Sequence, residues 1–143
     1  MIQNILSKEK LFAIIIRKKF HHNGVKFFTP SDFSQQLGYM NHPQGHIISP
    51  HVHNHMPREV QFTNEVLFIK SGKVRIDFYY DDKSYFQSQI LFEGDVILLA
   101  SGGHGFEMLE PTEMIEVKQG PYVGDKDKTR FNSIDKDQIF IKD

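Results

Sequence analysis

Short hydrophobic runs recur along the whole chain, separated by Gly, Pro, Asn and Asp, and few stretches show the period of an amphipathic helix. The runs are rich in β-branched and aromatic residues, which pack well on a pleated sheet. Nine of them predict strands, at residues 11–18, 25–29, 45–53, 66–70, 73–80, 84–91, 95–100, 105–109 and 112–118. This number and spacing are typical of an all-β sandwich or jelly roll.

The segments between these runs contain residues that favour tight turns. Residues 81–83, Asp-Asp-Lys, predict the turn of a hairpin, and Gly72 and Gly94 mark two further turns. The one predicted helix covers residues 31–37, because a Pro-Ser-Asp start leads into it and Gly38 offers a stop.

The length of 143 residues and the 13 Phe and 5 Tyr suit one domain with a substantial core. We therefore expect a single domain over residues 1–143, with N-terminal strands at 11–29 and a barrel core at about 45–118. The polar stretch at 119–143 predicts a surface loop and a tail.

Charge and cysteine content narrow the possible partners. The net charge of −1 gives no field that would attract nucleic acid or a membrane, so we expect a small-molecule ligand or another subunit as partner. The absence of cysteine leaves imidazole and carboxylate as the metal ligands. The apolar run at 11–16 is too short to span a bilayer and has no small-residue cleavage site, which predicts a cytoplasmic protein.

Two histidines separated by one residue, His51 and His53, lie in the predicted strand at 45–53. On a strand, side chains at i and i+2 point to the same face, and imidazole is a common metal ligand. Glu65 begins the next predicted strand in phase with its inward apolar positions. A buried carboxylate is costly without a cation, so its position favours a nearby metal ion.

His104 follows Gly102 and Gly103, whose missing side chains allow the backbone to bend tightly towards the same cavity. Three imidazoles and one carboxylate form a mixed nitrogen and oxygen set that suits Fe, Mn, Ni, Zn or Cu, and spacing alone does not choose among them. A chain with eight histidines also contains close pairs by chance. The remaining histidines lie in polar or loop surroundings, which indicates surface positions: His21, His22, His42, His46 and His55.

These residues together resemble the two sequence motifs of the cupins, over about half of the chain. The first motif is matched by Gly45, His51, His53, Glu65 and Gly72, and the second by Gly94, Gly102 and His104. The resemblance implies a double-stranded β-helix, the jelly-roll barrel of cupins, with at most one short helix. It also implies a divalent transition metal held by His51, His53, Glu65 and His104. Eleven residues separate His53 from Glu65, more than in the family pattern, so Glu59 competes as the carboxylate ligand.

A narrower resemblance covers residues 114–122, Met-Ile-Glu-Val-Lys-Gln-Gly-Pro-Tyr, and the Asp-Lys pair at 127–128. This segment is similar to the end of small cupin-fold metalloproteins encoded among genes for bacterial surface polysaccharide synthesis. The resemblance implies a carbohydrate-like ligand in polysaccharide or nucleotide-sugar metabolism. Cupins are often homodimers, and the run at 11–16 is a candidate for a shared or swapped strand.

Four further residues are candidates for holding a polar ligand. Glu116 and Lys118 lie two apart on one predicted strand face, where they would line the mouth of the cavity. Arg58 offers a guanidinium for a phosphate or carboxylate, although such an arginine is more often a solvated loop residue. Tyr122 belongs to the Gly-Pro-Tyr segment, which by itself also predicts an ordinary turn.

Three functions follow from these candidates. The first is a metal-dependent isomerase, epimerase or oxygenase, with Glu107 and Glu116 as candidates for the base. The second is a barrel that binds or senses a ligand without turnover. The third is a metal-free isomerase that uses His51 or His104 with a tyrosine. No serine elbow, phosphate loop or basic aromatic stripe is present, which disfavours hydrolase, nucleotide-hydrolysing and nucleic-acid-binding functions.

Overall fold

The computed structural model describes residues 1–142 and shows an all-β protein. Its ten strands are β1 (Ile2–Ser7), β2 (Lys10–Ile16), β3 (Gly24–Phe27), β4 (Gly38–Asn41), β5 (Glu65–Ser71), β6 (Lys73–Tyr79), β7 (Tyr85–Phe92), β8 (Val96–Leu99), β9 (Gly103–Met108) and β10 (Glu113–Lys118). Two short 3₁₀ helices follow, Gly124–Asp127 and Lys136–Gln138. Within residues 1–142, no helix has the length and apolar character that crossing a membrane requires.

The strands form three antiparallel sheets, none of which closes on itself. A five-stranded sheet has the order β1-β2-β8-β5-β10, and a three-stranded sheet has the order β7-β6-β9. The hairpin of β3 and β4 forms a separate two-stranded sheet. From β5 onwards the chain passes repeatedly between the two larger sheets, so strands that are consecutive in sequence lie mostly in different sheets.

The two larger sheets share one hydrophobic core between them. Val74, Ile76 and Phe78 alternate along β6 with residues that face away from the core, as the pleat of a strand requires. The five-stranded sheet contributes buried side chains from four of its strands: Ile5, Phe12, Ala13, Ile15, Leu67, Ile69, Ile97 and Leu99. Gly72, with φ +85°, makes the tight turn that carries the chain from one sheet to the other.

The sandwich is open along one side, where β9 and β10 are the edge strands of their sheets. Phe106 and Met108 pair with Ile76 and Val74 and therefore face the interior of the sandwich. They are nevertheless 36% and 47% exposed, whereas Ile76 and Val74 are fully buried. The interior is thus accessible to solvent beside β9.

The C-terminal tail covers the outer face of the three-stranded sheet. Its backbone contacts that sheet where the Ile134 amide donates to the Tyr79 hydroxyl and the Ser88 amide donates to the Phe140 carbonyl. Beneath the tail, Arg75 and Asp77 form a buried ion pair with a Nε–Oδ1 distance of 2.7 Å. The sequence alone indicated a polar tail but not this contact surface.

Two of the predicted elements are wrong. Residues 45–53 form no strand and lie in an exposed loop that runs to the start of β5, because an alternating pattern needs a partner backbone and Pro50 supplies no amide hydrogen. Residues 31–37 form turns and no helix, since the side chain of Gln36 bonds to the carbonyls of Pro30 and Phe33.

The run at 11–16 lies in β2, which pairs with β1 on one side and with β8 on the other within the same chain, so it is not an edge strand that a second subunit could extend. A swapped strand stays a prediction. Two strands were not predicted. β1 contains Gln3 and Asn4 and gives a weak hydrophobic signal, and β4 begins at Gly38, which the sequence pattern assigned to a helix stop.

Candidate functional site

Glu65 is the first residue of β5, and its side chain faces the interior of the sandwich. It pairs with Leu99, a core residue of β8, so the two side chains share one face of the sheet. The preceding Asn64 is buried and fixes the start of the strand. The side-chain amide of Asn64 donates to the backbone carbonyl of Ala100 at 3.1 Å. The backbone carbonyl of Asn64 accepts from the backbone amide of Gln119 at 2.9 Å.

His104 reaches the interior from the other sheet. It pairs with Phe78 of β6, which lies in the core, so its imidazole faces the same way. Gly102 makes this position possible: its φ is +75°, and a Cβ there would lie 2.6 Å from the Phe12 ring and 2.7 Å from the Tyr79 carbonyl oxygen. Gly102 therefore bends the backbone before His104 as the sequence predicted, whereas Gly103 is already the first residue of β9.

Glu65 and His104 meet across the gap between the two sheets. The distance from His104 Nε2 to Glu65 Oε2 is 3.1 Å, and the two side chains are 28% and 13% exposed. The contact with His104 is the main reason that the pKa of Glu65 falls from 4.5 to about 2, and Lys118 lowers it further against the opposing effect of burial. Glu65 is therefore a carboxylate at any physiological pH.

Lys118 and Glu116 complete this cluster from the edge strand β10. Both pair with inward-facing residues of β5, so their side chains share the face of Glu65. Lys118 Nζ lies 3.2 Å from Glu65 Oε1 and 2.8 Å from Glu116 Oε1. The two carboxylates raise the pKa of Lys118, the contact with Glu116 most of all. The cluster thus holds two carboxylates, one ammonium group and one imidazole.

The other sequence candidates lie outside the cluster. His51 and His53 are exposed in the loop, with ring centroids 5.2 Å apart. In the described part of the chain, no three His, Asp or Glu side chains lie close enough together to hold a metal ion. The structure therefore brings Glu65 and His104 together, but not the full set of four predicted ligands.

The remaining candidates have few contacts. Glu59 lies in the same loop, where its carboxylate accepts from the Gln61 amide at 3.3 Å. The Arg58 guanidinium is exposed, 3.5 Å from the Met56 carbonyl, and Tyr122 is 93% exposed. Glu107 faces away from the cluster and contacts Arg75, 2.8 Å distant, on the outer side of the three-stranded sheet.

One nitrogen of the His51 imidazole contacts the backbone of its own loop. Its Nδ1 lies 2.9 Å from the Ser49 carbonyl oxygen, which only accepts, so Nδ1 is the donor in this contact. The contact leaves Nε2 as the ring nitrogen that can bind a metal ion, and a hydrogen bond of this kind orients many metal-binding histidines.

Sequence reasoning missed Asn64, which positions Glu65. An asparagine directly before a predicted strand was the available signal, because Asn side chains readily bond to nearby backbone groups at the ends of elements. It could have identified the start of β5 and favoured Glu65 over the loop carboxylate.

This arrangement can bind a cation or orient an imidazole. A carboxylate beside a histidine holds the ring in one orientation, as in general acid–base pairs, and the same two groups are ordinary ligands of divalent transition metals. No family model, curated protein or solved structure matches this chain.

Proposed function

We propose that this protein is a metal-binding jelly roll of the double-stranded β-helix type, which binds a small polar, carbohydrate-like molecule. The strand order supports the fold proposal. A jelly roll has eight strands in two sheets, and β5 to β10 supply six of them in the orders β8-β5-β10 and β7-β6-β9. The remaining two would extend the open edges at β9 and β10, and the segment 42–63 has the length to provide them.

The observation that carries the metal proposal is the contact of Glu65 with His104, which brings together one possible metal ligand from each sheet. A carboxylate and an imidazole suit a transition metal, but two protein ligands are too few for a tight site. We propose that His51 and His53 provide the other two when the loop pairs with the edge of β9. Metal binding and ordering of the loop would then be coupled. Such an ion would polarise a bound oxygen of the ligand.

The polar cluster beside this site supports the proposed ligand class. Lys118 and Glu116 offer a donor and an acceptor at the open side of the sandwich, next to Glu65. A hydroxyl-rich molecule could exchange hydrogen bonds with both groups. The proposal covers binding of this ligand. Enzymatic turnover would be shown by metal-dependent conversion of a sugar substrate.

Elemental analysis of untagged protein tests the metal proposal. We expect one equivalent of a divalent transition metal after reconstitution with Fe, Mn, Ni or Zn, and its loss in His104→Ala, Glu65→Gln and His51→Ala. His21→Ala is the matched control, since this exposed histidine lies outside the site. If wild-type protein holds no metal after reconstitution with any of the four ions, the metal proposal is wrong.

A metal-free acid–base function is the second candidate, and the same contact favours it. Glu65 orients His104 without any ion, which is the arrangement of an imidazole that transfers protons. This candidate predicts activity that survives chelation and disappears in His104→Ala. Homodimer formation accompanies both candidates as an expectation, to be measured by light scattering of the purified protein.

A further inference from the structure

Two histidines at the end of β4 have stacked imidazole rings. His42 directly follows β4, and His46 lies four residues further along the chain. Their ring centroids are 3.9 Å apart, and their ring planes differ by 6°. His46 is exposed, whereas His42 is half-buried, although the sequence indicated a surface position for both.

The backbone of this segment holds the two rings together. At the end of β4, the Asn41 side-chain amide donates to the His22 backbone carbonyl at 3.2 Å. The His46 backbone amide donates to the Pro43 carbonyl at 3.2 Å, and Gly45 has φ +84°, as the third residue of a type II turn requires. This tight turn folds the chain back, so that the second imidazole lies over the first.

The Nε2 atom of His42 is buried and has no hydrogen-bond partner among residues 1–142. Within the same residues, only one other buried side-chain atom lacks a partner, Oε1 of Gln35. A buried polar atom without a partner costs about 1–3 kcal/mol, and native proteins tolerate it where the group has a role such as binding an ion. An ion at Nε2 would remove this cost.

The stacked pair can bind one ion after a small movement. Two nitrogens on a tetrahedral zinc ion lie about 3.3 Å apart, given bonds of about 2 Å, which is close to the 3.9 Å between the rings. An ion lies in the plane of each imidazole that binds it, so the rings must tilt out of their parallel arrangement. His46 is exposed and can tilt by rotation about its side-chain bonds.

The ligand set determines which ions fit and how tightly they bind. Imidazole suits zinc, copper and nickel, whereas magnesium and calcium prefer oxygen ligands. Among residues 1–142, no third His, Asp or Glu lies close enough to complete the site, so water must occupy the remaining positions. An ion held by two protein ligands exchanges readily and is lost on desalting. It therefore adds nothing to the one equivalent expected at Glu65 and His104.

We propose that His42 and His46 form a second metal site, which binds one exchangeable Zn²⁺, Cu²⁺ or Ni²⁺ ion through Nε2 of His42 and one ring nitrogen of His46. The ion ties the start of the exposed segment 43–63 to the end of β4. The site is independent of the contact between Glu65 and His104, because the two share no residue.

Nuclear magnetic resonance of the imidazole nitrogens during a zinc titration tests this site. We expect a saturable shift of the His42 Nε2 signal. His46→Gln should raise the zinc concentration at half-saturation by at least about tenfold, because loss of a group that only supports a metal ligand already costs that much. His55→Gln is the matched control, since it replaces another exposed histidine of segment 43–63, and should leave the His42 response unchanged.

Glu65→Gln separates this site from the one proposed above. In that variant the His42 signal should respond to zinc as in wild type, whether or not the variant retains metal at His104. If zinc up to about 1 mM, the range of weak binding, leaves the His42 Nε2 signal of wild type unchanged, the second site does not exist. Equal half-saturation in wild type and His46→Gln would likewise overturn the proposal.

Discussion

The two sides of the sandwich both contain a charged cluster, but the clusters are anchored differently. On the side of β1 and β7, Arg17 and Asp95 bond to the backbone as well as to each other. Asp95 accepts from the amides of Lys18 at 2.9 Å and Phe92 at 3.1 Å, and Arg17 donates to the Ile90 carbonyl at 2.7 Å. This cluster ties together the end of β2, the end of β7 and the turn into β8.

On the open side, the described contacts of the cluster join side chains only. Glu65 contacts His104 and Lys118, and Lys118 also contacts Glu116. The side chains there are 13% to 43% exposed, whereas Asp95 is 4% exposed. Charges that hold backbone groups stabilise the fold, and charges that hold only one another keep bonding capacity for a ligand. The comparison therefore separates a structural cluster from a candidate site.

The largest expected effect is on the structural side. Asp95→Ala removes a buried acceptor from two backbone amides and leaves the Arg17 guanidinium without its counter-charge. We expect a loss of about 3–5 kcal/mol in the free energy of unfolding, measured by urea denaturation. Glu93→Ala is the control, because its pair with Lys18 is more than half exposed on both sides and should not change the midpoint. Equal midpoints for the two variants would contradict the structural role of Asp95.

The sequence predicted correctly those features that depend on residues close together in the chain. The alternation of Val74, Ile76 and Phe78 identified β6, and Gly72 and Gly94 marked real turns with φ +85°. Gly102 indicated the bend before His104 in the same way. These features depend on local geometry, so the pattern alone could predict them.

Features that depend on distant partners could not be predicted. Residues 45–53 have a suitable alternation, but a strand also needs a neighbouring backbone, which sequence does not reveal. The burial of Gln87 and Gln89 was not predicted, because the residues around them come from β1 and the tail. Glu65 was identified as an inward-facing carboxylate. Its contact with Lys118 could not be predicted, because it depends on the pairing of β5 with β10.

The pH dependence of stability gives an intermediate effect on the open side. The pKa of Glu65 is about 2 in the folded protein against 4.5 as the ordinary value, so its ionisation stabilises the fold above pH 4.5. This stabilisation, on the order of 3 kcal/mol, is lost as the pH falls from 4.5 towards 2. We therefore expect the stability difference between metal-free wild type and Glu65→Gln to decrease over that range.

Urea denaturation at a series of pH values, after dialysis against a chelator, measures this difference. Glu59→Gln is the control, because Glu59 lies in the exposed loop and its carboxylate bonds, within residues 1–142, only to Gln61. A difference between wild type and Glu65→Gln that stays constant with pH would show that the folded cluster does not favour the Glu65 carboxylate.

The smallest effect on stability is expected from Lys118→Met, which tests whether the open side is truly dispensable for folding. Lys118 is one-third exposed, and among residues 1–142 its ammonium contacts only the side chains of Glu65 and Glu116, so we expect a loss below about 1 kcal/mol.

The titration of Glu65 in the same variant, followed by carbon-detected magnetic resonance, should nevertheless move upwards. Its pKa should stay below 4.5, because His104 remains and contributes most to the lowering. Lys70→Met, which breaks an exposed pair between Lys70 of β5 and Glu113 of β10, should leave the Glu65 titration unchanged. A loss of stability as large as that of Asp95→Ala would mean that both clusters are structural.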